Sequence, residues 1–270
     1  MYRFAAALLI TISFFSSCIN FKLCHPVSFM PETFIVAHRG AWKKMQHPEN
    51  SIASLEQAFK NGYHATEFDI HMTADDSLVI NHDPDYYGMP IETNTYANLN
   101  KRKLENGEDL PLLANFFKKS LEKKNNTQLI AEIKPSTISI ERGRKIADKV
   151  VALANQFQLG NKIAYISFDI NILQQIVQIQ PTAHTQYLEG NLSPDSLHQM
   201  GISGLNYHYS VYQKNESWIQ EAKKRNMLLG SWTVNDREVM KWLIDKDFDY
   251  ITTNEPEILY NVLYQKAVKK

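Results

Sequence analysis

From Thr33 onward the chain alternates short β-branched and apolar runs with longer stretches whose apolar positions recur every three to four residues. That alternation is the signature of βα units and a mainly parallel sheet. The runs Phe34–Ala37, Thr66–Met72, Gln128–Ile133, Ile163–Ser167, His184–Tyr187, Gly204–Tyr207, Met227–Thr233 and Tyr250–Thr253 predict eight strands. Helical periodicity predicts helices over Ser51–Asn61, Leu112–Lys124, Ile138–Gln158, Ile170–Gln180, Pro194–Met200, Ser217–Asn226, Arg237–Lys246 and Pro256–Ala267. One helix follows nearly every strand. The expected α/β fold is therefore a single eight-stranded β/α barrel of the TIM type over 33–270, since a doubly wound open sheet uses fewer strands.

The longest interval between barrel strands runs from His82 to Gln128. It follows an extra short strand at Leu78–Asn81 and is mostly polar, so it reads as a loop excursion over the C-terminal face of the barrel, where active sites of this architecture sit. No low-complexity run or internal repeat beyond the βα unit is present.

The first 32 residues break the pattern. Arg3 precedes an apolar stretch from Phe4 to Phe15, with Ser16-Ser17-Cys18 directly after it. This is an export signal over 1–18, and Asn20 and Lys22 interrupt the stretch before it reaches the ~20 apolar residues of a spanning helix. Small residues ending in cysteine resemble a bacterial lipobox, which would make Cys18 the lipidated first residue and 19–32, with Pro26 and Pro31, a tether from the membrane to a domain on the periplasmic side of the envelope. Ordinary cleavage near Ser17 is the alternative. Composition adds two exclusions. Lys plus Arg equals Asp plus Glu at 29 each, which argues against a nucleic-acid partner. Cys18 and Cys24 both precede the barrel, so neither a disulfide framework nor a cysteine zinc site holds the main body.

Candidate chemistry gathers at strand ends. The first strand runs into His38-Arg39-Gly40, which puts an imidazole and a cation where an apolar strand enters a βα loop. In Glu67-Phe68-Asp69 the period-two alternation of a strand turns both carboxylates to one side and Phe68 to the other. Two carboxylates on one buried face repel unless a cation lies between them, so a metal site is the economical explanation. His82-Asp83 ends the short extra strand, and Glu132 and Lys134 share one face of the next barrel strand. Oxygen ligands of this kind suit Mg²⁺ or Ca²⁺ rather than zinc. A phosphate-bearing substrate accounts for the other groups, with Arg39 and Lys134 neutralising its oxygens and the histidines moving protons.

Taken in order, His38-Arg39-Gly40, Pro48-Glu49-Asn50-Ser51, Glu67-Phe68-Asp69, Thr73 through His82-Asp83, Ala131-Glu132-Ile133-Lys134, Trp232-Thr233-Val234-Asn235 and Ile251-Thr252-Thr253-Asn254 resemble the motif set of the glycerophosphodiester phosphodiesterase family. The resemblance implies a β/α barrel that hydrolyses glycerophosphodiesters to glycerol 3-phosphate and an alcohol such as choline or ethanolamine. It implies a divalent cation on Glu67, Asp69 and Glu132, His38 and His82 as acid and base without assigning which is which, Arg39 and Lys134 on the phosphate, and Trp232 as an aromatic wall beside the glycerol. Glu49 and Asn50 are expected to order the first loop and cap the helix that starts near Ser51. Two departures stand out: Asp75-Asp76-Ser77 replaces a frequent Asp-Gly turn, and Asn254 stands where an Asp is frequent.

Three other readings share the barrel. One is a phosphodiesterase of phospholipase D type acting on lysophospholipids, with Tyr86, Tyr87 and Tyr96 against acyl chains. Another is a non-catalytic module that captures phosphodiesters. The third is a sugar or isoprenoid enzyme, because fold alone does not fix function.

Overall fold

The computed structural model describes residues 33–122 and 125–267. The export segment and the tether, including Cys18 and Cys24, lie outside the described residues. In chain order the strands are β1 (Phe34–Ala37), β2 (Ala65–Met72), β3 (Leu78–Ile80), β4 (Asp85–Tyr86), β5 (Met89–Pro90), β6 (Gln128–Ile133), β7 (Ile163–Ser167), β8 (His184–Tyr187), β9 (Gly204–His208), β10 (Leu228–Trp232) and β11 (Tyr250–Thr253). β1, β2 and β6 through β11 pair in parallel, and β11 returns to β1, closing an eight-stranded barrel. These eight are the predicted strands, with ends shifted by a residue or two.

The two faces of each strand carry different residues. Ile35, Phe68, Ile70, Met72, Leu129, Ala131 and Ile133 face the surrounding helices and pack on Leu55, Phe116, Phe117 and Ile146. The opposite positions point into the lumen, where Val36, Ala65, Ile130, Ile166 and Leu188 form a separate small core. Two residues further along each strand the same face becomes polar: Val36 leads to His38, Ala65 to Glu67, and Ile130 to Glu132. The apolar plug closes the lumen and leaves the polar residues at its C-terminal mouth.

The turn between β1 and helix α1 (Ile52–Asn61) is tightly built. Gly40 has φ +85°, and a Cβ there would lie 2.3 Å from Ser54 Oγ. Ser54 Oγ donates to the Arg39 carbonyl at 3.0 Å, so glycine lets the chain carrying His38 and Arg39 press directly on α1. The helix cap is Ser51, whose side chain accepts from Ser54 N. That corrects the expectation that Glu49 or Asn50 caps it.

The excursion is an ordered unit with its own core. β3 pairs antiparallel to β2 through Ile70 and Ile80, and the β4–β5 hairpin turns at Tyr87-Gly88, both with positive φ. A short helix, α2 (Tyr96–Leu99), follows. Val79, Tyr86, Ile91, Leu99 and Leu110 bury one another beneath these elements. Tyr86 OH donates to the Arg102 carbonyl and Tyr96 OH to that of Leu110, which holds both rings in this core. Buried Glu92 fastens the unit to the loop after β6 by accepting from Ser136 Oγ, Thr137 N and Arg142 Nε. Glu108 accepts from the first backbone N–H groups of α1, at Ile52 and Ala53. No helix among the described residues is long and apolar enough to cross a membrane.

Candidate active site

The residues proposed from sequence meet at the mouth of the lumen. His38, Arg39, Glu67, His82, Glu132, Lys134 and Trp232 line one cavity of about 90 Å³, and Asp69 lies directly beneath Arg39 and Lys134. Register explains the closeness of the acids. Asp69 on β2 stands opposite Glu132 on β6, and Glu67 is two residues back on the same face. Carboxylate oxygens of Glu67, Asp69 and Glu132 all lie within 4.8 Å of one another.

Three acids in so small a buried space perturb one another. Burial, then the Asp69 and Glu132 charges, push the Glu67 carboxyl well above its ordinary range. Burial and the Asp69 charge raise Glu132 to about 7. Burial would raise Asp69 as well, but Lys134 and a hydrogen bond from Asn50 hold it down. Lys134 Nζ bridges Asp69 Oδ1 at 2.7 Å and Glu132 Oε1 at 2.5 Å. Those two charges outweigh burial and raise the pKa of its ammonium.

A divalent cation fits what remains. Glu67 Oε1 is buried with no hydrogen-bond partner. Glu67 Oε2 accepts from the Arg39 backbone N–H, at 2.9 Å. Clustered hard oxygen donors of this kind are what Mg²⁺ and Ca²⁺ take.

The two histidines differ in setting. His38 Nδ1 lies 2.7 Å from Asn254 Oδ1, an acceptor that puts the ring proton on Nδ1 and leaves the Nε2 lone pair toward the cavity, 3.9 Å from Glu67 Oε2. Burial and the Arg39 charge lower the His38 pKa to about 4, so the ring is neutral near pH 7. Asn254 is the residue that departs from the family pattern, and its amide holds the ring without the charge a carboxylate would add. His82 follows β3, keeps 37% of its side chain exposed, and places Nδ1 2.7 Å from Asp83 Oδ1. Its backbone carbonyl is 3.3 Å from His71 Nε2, which ties the loop to β2.

Arg39 Nη1 donates to Glu49 Oε1 at 2.7 Å, and its Nε is 3.6 Å from Asp69 Oδ2. The Trp232 indole N–H donates to the Asn206 carbonyl at 2.7 Å, and its ring packs against Phe168. That fixes the ring plane in the cavity wall.

Sequence reasoning named Asn50 for the loop and cap but not for its hold on Asp69, and missed two further supports. Asn50, with φ +58°, holds Asp69 from both sides: its Nδ2 donates to Asp69 Oδ2 and its Oδ1 accepts from Asp69 N. His71 positions the His82 loop, and its signal was its place two residues after Asp69 on the same strand face. Asn206 lines the cavity with an Oδ1 that makes no hydrogen bond; no neighbour in sequence marks it.

A Parabacteroides distasonis glycerophosphodiester phosphodiesterase of known structure is 38% identical, with a TM-score of 0.85 over 88% of this chain and 99% of its own. A Caldanaerobacter subterraneus glycerophosphodiester phosphodiesterase is 25% identical across 86% of this chain and 98% of its own length. An Oleispira antarctica phosphodiesterase, solved with its product sn-glycerol-3-phosphate, shares the fold at 21% identity, with a TM-score of 0.73 over 88% of this chain and 97% of its own. Residues 38–258 match the model of the glycerophosphoryl diester phosphodiesterase family. Since that span opens on His38 and encloses every residue gathered at the lumen mouth, the chain belongs to the glycerophosphoryl diester phosphodiesterase family.

Proposed function

We propose that the protein hydrolyses glycerophosphodiesters to glycerol 3-phosphate and an alcohol, using Mg²⁺ or Ca²⁺ held by Glu67, Asp69 and Glu132. The observation that carries the reading is the set of three buried, mutually close carboxylates bordered by two histidines, Arg39 and Lys134. When bound, the cation would offset charge developing on the phosphoryl oxygens. Arg39 and Lys134 hold the phosphate, and the Trp232 ring lies along the carbon skeleton of the glycerol. His38, neutral with Nε2 unprotonated, accepts the proton of the attacking oxygen. His82, at the open side of the cavity, protonates the departing alcohol. The two nitrogen atoms thus do opposite work because one ring is buried on an amide and the other is half-exposed beside a carboxylate.

The test is glycerol 3-phosphate release from glycerophosphocholine by the purified protein with Mg²⁺, with Ca²⁺ or with chelator. Release that requires a divalent cation is expected. A folded, metal-supplied protein that releases nothing from this substrate but cleaves lysophosphatidylcholine would move the reading to the lipid-acting alternative.

We also propose export and anchorage through Cys18, supported by the Arg3 start, the apolar Phe4–Phe15 stretch and Ser16-Ser17-Cys18. Labelled fatty acid fed to expressing bacteria should enter the wild-type protein and not Cys18→Ala; equal labelling of both would reject it.

A further inference from the structure

We propose that Asn206 recognises the terminal hydroxyl of the substrate's glycerol, and so tells a free glycerophosphodiester from one acylated at that position. This rests on the hydrolase reading and adds a specificity residue to it. Asn206 is 1% exposed, lines the catalytic cavity, and has a buried side-chain oxygen with no hydrogen-bond partner. A buried acceptor left unpaired weighs against folding. Ile166, Phe168, Leu188 and Trp232 in the same lining are apolar, so packing alone gives no reason for an amide among them.

Strand order places this amide opposite the phosphate-holding groups. Around the closed barrel the strands run β1, β2, β6, β7, β8, β9, β10, β11, which puts β9 four strands from β2 in either direction. Arg39 follows β1 and Lys134 follows β6, and these strands flank β2 on its two sides. Asn206, on β9, therefore lies across the lumen from both.

The backbone around Asn206 keeps room for its amide. Gly230 on β10 pairs with Asn206 in register, and a Cβ at Gly230 would come within 2.7 Å of Asn206 Oδ1. Glycine leaves the space that the amide occupies. Two residues further along β10, the Trp232 indole N–H donates to the Asn206 carbonyl. The ring that walls the glycerol carbons and the acceptor for the hydroxyl are thus tied together at one residue.

A diester whose phosphate lies against Arg39 and Lys134 extends its glycerol along Trp232 toward β9. The hydroxyl that reaches the far wall is the one most distant from the phosphate, and it donates to Asn206 Oδ1. An acyl ester at that carbon has no proton to give and would leave the buried oxygen facing an apolar chain. A site built around a substrate hydroxyl discriminates most sharply against a ligand that lacks it.

The test compares glycerophosphocholine with the analogue that lacks the terminal hydroxyl and keeps the middle one. For the wild type, kcat/KM should be about tenfold lower for the analogue, the worth of one hydrogen bond to a buried acceptor. In Asn206→Leu the two should be cleaved equally, with the loss falling on glycerophosphocholine. A merely structural role for the amide would lower both together and leave their ratio unchanged. Equal kcat/KM for the two substrates in the wild type, which needs no variant, or a preference that survives in Asn206→Leu, would overturn the proposal. Calorimetry with glycerol 3-phosphate and its analogue lacking the terminal hydroxyl, in the presence of Mg²⁺, separates this idea from the hydrolase reading. If glycerophosphocholine is not cleaved, the reaction assignment fails. Tighter binding of glycerol 3-phosphate that is lost in Asn206→Leu would still support Asn206 as the hydroxyl acceptor, and equal binding of the two phosphates by the wild type would remove it.

Discussion

Replacing His82 with alanine should lower turnover of glycerophosphocholine by about a thousandfold, within the range of a lost general acid, while a p-nitrophenyl phosphodiester should lose far less. The contrast follows from leaving groups. A choline oxygen departs as an alkoxide unless it is protonated, whereas p-nitrophenolate is stable without a proton. His82 stands at the open side of the cavity with its Nδ1 on Asp83, where the alcohol must exit. His38→Ala should behave differently. Its ring lies inside, held on Asn254 with Nε2 facing the lumen, so its loss affects the attack step and should depress both substrates alike. Rates for the two variants on the two substrates decide it. Equal losses for His82→Ala on both substrates would reverse or remove the assignment of acid and base.

Much of this geometry was legible in the chain before any coordinates. Strands buried on both faces show as short apolar runs, and period-two alternation is enough to say that Glu67 and Asp69 share one face of their strand. The distance between Asp69 and Glu132 was not legible, because it depends on the register of β2 against β6, a pairing across about sixty residues of sequence. The excursion was read as mostly polar loop because its strands β4 and β5 have two residues each, too short to show periodicity, and its core is assembled from isolated residues such as Val79, Ile91 and Leu110. Asn50 was read as a cap because Asn suits both roles. Only its left-handed backbone aims its amide at Asp69 rather than at α1.

Glu67→Gln should abolish cation-dependent hydrolysis, by about a thousandfold, and at the same time make the chelated protein more stable at pH 8. In the absence of a cation, Glu67 and Glu132 have raised pKa values in the folded state. The folded protein therefore keeps protons that the unfolded chain gives up above the ordinary glutamate value of 4.5. The sign follows from linkage: the stability these two carboxylates contribute is greatest below that value and falls as pH rises toward 7, where Glu132 ionises. A shift from 4.5 to about 7 for Glu132 corresponds to a loss on the order of 3 kcal/mol. The Asp69 shift is downward from 3.8 and acts at the acid end, whereas the lowered pKa values of His38, His64 and His71 add stability as pH rises to 6.5, so the carboxylate loss is read as the difference between wild type and Glu67→Gln. A bound cation reverses the penalty by neutralising the cluster, so Mg²⁺ or Ca²⁺ should raise the wild-type Tm more at pH 8 than at pH 5. Glutamine keeps the shape of Glu67 and removes one of the three repelling charges. Each kcal/mol recovered is worth roughly 2–4 °C for a domain of this size. Thermal unfolding of both proteins at the two pH values, with chelator and with excess cation, measures all of these terms. A Glu67→Gln protein that gains as much Tm from the cation as the wild type would show that these carboxylates do not form the cation site.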